Sequence, residues 1–182
     1  MLKILTAPHK VLNTPSKSVK TIDAKIKKLI RQMEMTLTAQ KDPPGVGLAA
    51  PQVGVGLSLF IIKQSPKTKT QVFINPRVIR HHILNIKQGP KKPSPGSKDD
   101  SRLEGCLSIP RIWAPLKRAA EIEIDYQDQG GNKKQKKFTG FSADIVQHEM
   151  DHLGGILFTQ RALTQKIQLY EEDATKLKKI NY

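Results

Sequence analysis

Residues 147–153 read Gln147-His148-Glu149-Met150-Asp151-His152-Leu153 and contain His-Glu-x-x-His. On a helix, residues four apart share a face, so His148 and His152 can aim both imidazoles at one metal ion. Glu149 follows one position on, about 100° around the helix, where it can act on a water without replacing a ligand. The flanks are apolar: Ile145 and Val146 before, Leu153, Ile156, Leu157 and Phe158 after. Two surface histidines on a polar helix would not need such flanks. A helix that carries His, Glu, Asp and His between them buries costly polar groups unless a metal and hydrogen-bond partners satisfy them.

Two histidines do not make a catalytic site, which usually takes three protein ligands and keeps one position open. A third histidine six residues past His152 would be the metzincin solution, but that position is Phe158. A downstream glutamate is the thermolysin-like solution, and Glu171 and Glu172 stand 19 and 20 residues past His152. The third source is Cys106, the one cysteine, in Glu104-Gly105-Cys106-Leu107-Ser108. A thiolate suits zinc or ferrous iron, although a lone cysteine is ordinarily a small buried hydrophobe. A further segment, Gly45-Val46-Gly47-Leu48-Ala49-Ala50-Pro51-Gln52, follows a turn-like Asp42-Pro43-Pro44. Its small residues let the backbone approach a ligand closely, and the Gln52 amide can donate to a developing oxyanion. It lacks the Gly-Lys-Ser/Thr ending of a phosphate loop.

Together these three segments resemble the peptide deformylases, a family that carries G-φ-G-φ-A-A-x-Q, E-G-C-φ-S and H-E-x-D-H in this order, φ being apolar. All three motifs are complete here. The opening Ile4-Leu5-Thr6-Ala7-Pro8 and the closing Ile156-Leu157-Phe158 also fit, so the resemblance spans nearly the whole chain. It implies removal of the N-formyl group from the formyl-methionine of nascent polypeptides, with release of formate. Cys106, His148 and His152 then become the ligands of one divalent metal. Fe2+ is expected, with zinc, nickel and cobalt as alternatives that the ligands also suit. Glu149 is the general base and then the acid, while Gln52 and the backbone N–H of Leu107 donate to the oxyanion. Val46, Gly47 and Glu104 line the substrate channel beside an apolar methionine pocket. Asp151 needs a cation, and Arg118 stands where the family commonly places one; Glu104 is given a comparable steadying role. Two positions depart from the family. Trp113 stands where some members carry an arginine that holds the substrate backbone, with Arg111 as its candidate replacement. Asp144 lies one helical turn before His148, near the methionine pocket.

At 182 residues the chain can bury one good core, so residues 1–182 are read as a single catalytic domain. The Pro-, Gly-, Ser- and Lys-rich stretch at 87–102 is read as a flexible loop, either a lid or a tolerated insertion. No run reaches the length of a membrane span, and no signal-type apolar core opens the chain. With one cysteine no internal disulfide forms, which fits a reducing cytoplasm. The net charge of +15 favours an anionic partner. The expectation is a cytoplasmic monomer that associates with the ribosome through its basic surface and a C-terminal helix, with no membrane contact.

The hydrophobic pattern predicts a helix over 22–40, from Ile26, Leu29, Ile30, Met33 and Leu37. Strands are predicted over 57–62, over 72–74 ending at Asn75-Pro76, and over 121–126 and 133–138 around the turn at 128–132. The metal helix is predicted over 140–153, ended by Gly154-Gly155. An amphipathic helix is predicted over 164–179, with Ile167, Tyr170, Ala174 and Leu177 on its stripe. The expected class is α+β: mostly antiparallel sheets around a central metal-binding helix, with N-terminal and C-terminal helices. Two other functions compete: a zinc endopeptidase that uses Glu172 in place of Cys106, and an inactive ribosome-associated binding module.

Overall fold

Helix α1 (Ala24–Thr38) forms where Ile26, Ile30, Met33 and Leu37 recur at helical spacing, and all four are buried. Asp23 stops it from extending further back. Its side chain accepts from the backbone N–H of Lys25 (2.9 Å) and Ile26 (3.0 Å), donors that the first turn would otherwise leave unpaired. The computed structural model describes residues 1–41, 44–65, 67–82, 103–173 and 176–181. The loop expected at 87–102 lies outside the described residues.

The apolar face of α1 rests on a five-stranded antiparallel sheet of order β1 (Gly47–Ala49), β2 (Leu59–Ile62), β3 (Gln71–His82), β6 (Glu121–Gln127), β7 (Lys133–Thr139). Alternation along the strands assigns the two faces. Leu48, Leu59, Ile61, Val72 and Ile74 pack with α1. Ala49, Phe60, Ile62 and Phe73 point the other way and pack with Ala143, Ile145, Val146 and Leu153 of helix α2 (Gly140–Leu153). Strand β2 is therefore covered on both sides, which explains why it is a continuous apolar run rather than an alternating one. On β6 and β7, Ile122, Ile124 and Phe138 turn inward, while Glu121 meets Lys137 at 2.7 Å outside.

A second antiparallel sheet runs β4 (Glu104–Cys106), β5 (Ile109–Ala114), β8 (Tyr170–Asp173), β9 (Lys176–Lys179). Helix α3 (Phe158–Thr164) packs against it through Phe158 and Ala162, with Ala114, Ile167 and Leu169. Helix α2 thus lies with the first sheet beneath it and β4 of the second sheet at its side.

Two local expectations change. Strand β3 does not end at Asn75-Pro76. Asn75 takes a left-handed φ of 50° within an irregularity of the β3–β6 register, and the strand resumes at Arg77. The Asn75 side chain fills the gap, holding the Val19 N–H (2.7 Å) and C=O (2.9 Å). The helix predicted over 164–179 is replaced by the β8–β9 hairpin. Strand β8 pairs with β5 (Ile112 opposite Glu171, Trp113 opposite Tyr170), so the open edge of β5 outcompetes a helical pattern of modest strength. Opposite charges then face across the hairpin, Glu171 opposite Lys178 and Asp173 opposite Lys176. Ala174 lies outside the described residues. The C-terminal helix is the shorter α3. No helix among the described residues is long and apolar enough to cross a membrane.

Candidate active site

Helix α2 buries its Ala143, Ile145 and Val146 side against the first sheet, which turns His148 and His152 toward β4. Their rings lie 4.9 Å apart and nearly perpendicular. Strand β4 brings Cys106 to them. One donor atom from each of Cys106, His148 and His152 lies within 4.8 Å of the other two, and Cys106 Sγ sits 3.2 Å from His152 Nε2. Burial pushes the Cys106 thiol up, but the His152 and His148 charges prevail and bring it down to about 5, a thiolate at neutral pH.

This donor set fits a divalent metal. His148 Nδ1 is occupied, 2.6 Å from Glu104 Oε1, which fixes the ring and leaves Nε2 for a ligand bond. Glu104 is itself gripped by Nε and Nη2 of Arg118 (Nε–Oε2 2.9 Å, Nη2–Oε1 2.6 Å). Burial pushes the Glu104 carboxyl up, yet His148 and Arg118 outweigh it and hold the group near 2. The third Arg118 nitrogen, Nη1, reaches Asp151 Oδ2 at 2.6 Å, and Arg161 binds the other Asp151 oxygen at 2.6 Å. One connected chain of charges, Arg161–Asp151–Arg118–Glu104–His148, therefore runs from the rim to the candidate ligand His148. Buried charges of this kind persist only when fully paired.

Glu149 is 3% exposed, and its Oε2 has no hydrogen-bond partner among the described residues. Burial raises its pKa to about 7, against the lowering effect of His148 and His152, so it can both take and return a proton at neutral pH. Glycine at position 47 makes room for it: a Cβ there would fall 2.8 Å from Glu149 Cδ and closer still to Oε1. Gln52 is 1% exposed. Its Oε1 accepts from the Ala49 N–H (2.8 Å), which sets the side chain so that Nε2 faces Cys106 Sγ (3.6 Å) and Ser108 Oγ (3.3 Å).

A cavity of about 220 Å³ opens over this constellation. Val46, Gly47, Gln52, Glu104, Cys106, Leu107, His148 and Glu149 all line it, whereas His152 is buried at its edge. Trp113 and Asp144 line it as well. Trp113 packs flat on Gly105, where a Cβ would meet its ring at 2.7 Å, and its indole N–H donates to Glu172 Oε2 (2.9 Å). Arg111 instead holds the Glu172 carbonyl (2.7 Å) and is absent from the lining. These contacts occupy Glu172 away from the histidines. Glu171 lies exposed on β8, so neither glutamate is a ligand and the endopeptidase alternative loses its third donor. Phe141 and Ile145 belong to the wall too, with Leu103, Leu116 and Arg118; of these, Phe141 and Ile145 are the two on α2. They precede His148 by seven and three residues, a helical spacing that could have identified them from the sequence. Arg161 carries no local signal of its role.

A family model described as polypeptide deformylase matches residues 1–168. A peptide deformylase from Desulfotalea psychrophila is 33% identical over 180 residues, covering 97% of this chain and 96% of its own. One from Borreliella burgdorferi is 34% identical and covers 94% of this chain and 88% of its own. Among solved structures, a peptide deformylase from Synechococcus elongatus in complex with actinonin superposes with a TM-score of 0.74 at 33% identity, over 88% of this chain and 79% of that one. The Thermotoga maritima peptide deformylase gives a TM-score of 0.72 at 31% identity, over 88% of this chain and 97% of that one.

Proposed function

We infer the roles of individual residues from the premise that this chain belongs to the polypeptide deformylase family. It is a hydrolase that removes the N-formyl group from nascent polypeptides, and its family is one of metalloenzymes. The observation that carries the assignment of roles is the meeting of the Cys106, His148 and His152 donors beside a buried Glu149.

Held by these three side chains, a divalent ion would supply Lewis acidity, polarising the formyl oxygen and making water acidic enough to ionise near neutrality. Fe2+ is the metal we propose. Glu149 accepts a proton from the attacking water and delivers it to the amine nitrogen as the formyl C–N bond breaks, leaving formate and a free N-terminus. Charge that grows on the formyl oxygen meets the Gln52 amide and the Leu107 backbone N–H. Val46 and Gly47 form the channel wall beside the methionine pocket, which Phe141, Ile145 and Trp113 make largely apolar. Glu104 also lines the channel, but both its oxygens are taken by Arg118 and His148, so its main role is to position His148.

We assign residues 1–182 to one catalytic unit acting as a cytoplasmic monomer. Ribosome association would rest on the basic surface, because Tyr170–Asp173 and Lys176–Lys179 are strands and not the expected helix. The test is formate release from a formyl-methionyl tripeptide by ferrous protein prepared without oxygen. Steady turnover is expected. Metal-loaded protein that releases no formate would refute the assignment.

A further inference from the structure

Residues 1–82 contain fourteen Lys and Arg against three acids, whereas residues 103–182 contain twelve against eleven. The second group pairs its charges internally: every ion pair among the described residues falls between positions 104 and 178. Of the net charge of +15, +11 therefore belongs to residues 1–82, the N-terminal segment, α1 and the strands beneath them. Arg77 and Arg80 stand opposite Asp125 and Glu123 across the β3–β6 ladder, which leaves most of the unpaired excess to the segment and helix before them.

Helix α1 concentrates this charge. Lys25, Lys27, Lys28 and Arg31 are exposed on it. Beyond the Asp23 cap the first turn contains no acid but two lysines, Lys25 and Lys27, at the end of the helix dipole that disfavours cations. Lys27 and Lys28 each face Arg31 at helical contact spacing, a like-charge arrangement that destabilises a helix, and Asp23 before Lys27 and Glu34 after Arg31 are the acids at that spacing that partly offset it. Neither choice serves core packing, because the buried stripe is Ile26, Ile30, Met33 and Leu37. Local rules broken without a packing gain are expected where the charge has a use. Two more cations join the same helix at its other end. Lys63 Nζ donates to Thr38 Oγ1 (3.3 Å), and Lys3 follows Leu2, whose N–H donates to Thr36 Oγ1 (2.8 Å).

We propose that the outer face of α1 is a docking surface for structured RNA. The choice of RNA rests on the activity proposed above, since nascent chains emerge from an RNA-rich particle. A membrane is a poorer fit: an interfacial helix lays an apolar stripe into the lipid, and the apolar stripe of α1 is already buried in the core. The face offers no aromatic platform for stacking bases, so it reads the phosphate backbone of a duplex rather than a single strand. Helix α1 covers one side of the five-stranded sheet and α2 the other, so RNA on α1 leaves the cavity over His148 open.

The test compares wild type with Lys27→Gln/Lys28→Gln/Arg31→Gln and with a control, Lys176→Gln/Lys178→Gln/Lys179→Gln, in which equally basic residues are removed from the hairpin. Binding to a fluorescent RNA hairpin is followed by anisotropy between about 50 and 200 mM salt. The α1 variant should lose at least about tenfold in affinity, and its log–log salt slope should shrink by about three, one for each phosphate contact removed. The control should bind like wild type, and both variants should release formate from a free formyl-methionyl tripeptide at the wild-type rate. Wild type that does not bind the hairpin, an α1 variant that binds like wild type, or equal losses in both variants would overturn the proposal. Tighter binding to phosphatidylglycerol vesicles than to RNA would overturn it in favour of a membrane. An inactive wild type that still binds RNA through α1 would refute the catalytic assignment and not this surface.

Discussion

Replacing Arg118 by alanine removes the cation shared by Glu104 and Asp151. Three short hydrogen bonds disappear, at 2.9, 2.6 and 2.6 Å. The side chains involved are only 8%, 14% and 9% exposed, so water cannot readily replace the lost partner. Breaking a buried pair from one side costs about 3–5 kcal/mol. The lower end applies here, because Asp151 keeps Arg161 and Glu104 keeps His148. A loss of about 3 kcal/mol in a chain of this length lowers Tm by about 6–12 °C. Glu104 also loses the contact that orients it against His148, so metal retention should fall with stability. Arg161 lies 43% exposed, so Arg161→Ala should cost about 1 kcal/mol or less. Lys117 is exposed and no ion pair involves its side chain among the described residues, so Lys117→Ala should change neither Tm nor metal content. The assay is thermal unfolding by circular dichroism, with metal content measured after dialysis. An Arg118→Ala protein within about 2 °C of wild type, less than 1 kcal/mol at this size, with its metal intact, would refute the reasoning.

Gly47→Ala should lower kcat with little loss of metal, because the new methyl would fall 2.8 Å from Glu149 Cδ and displace the base but no ligand; unchanged kcat would contradict this. Cys106→Ala and His148→Ala should each lose the metal, as seen by elemental analysis after gel filtration. The ferrous enzyme should lose activity in air faster than a nickel-substituted one, since Cys106, the proposed ligand, is an oxidisable thiolate; equal lifetimes would count against thiolate oxidation.

Most of the side chains that meet in the candidate site are legible in the sequence pattern for a physical reason. The bounds of α2 follow from a glycine pair after Leu153, and its chemistry follows from the spacing of His148, Glu149 and His152, all local properties. The alternation in β6 and the periodicity of α1 are equally local. What escaped depended on distant partners. Residues 164–179 suit either a helix or a hairpin, and the unpaired edge of β5 decides between them. The continuation of β3 past Pro76 depends on Asn75 bonding to Val19, 56 positions away. The sequence supplied Arg118 as a partner for Asp151, yet Arg161 became visible only once α3 packed beside α2.

Metal content and formate release measured side by side on Glu149→Ala test the central claim most directly. The account predicts a metal-loaded protein with turnover reduced at least about 10²-fold, the scale of a lost general base. A Glu149→Ala protein that emerges without metal, or one that keeps both metal and wild-type turnover, would contradict the division of this site into three ligands and one base.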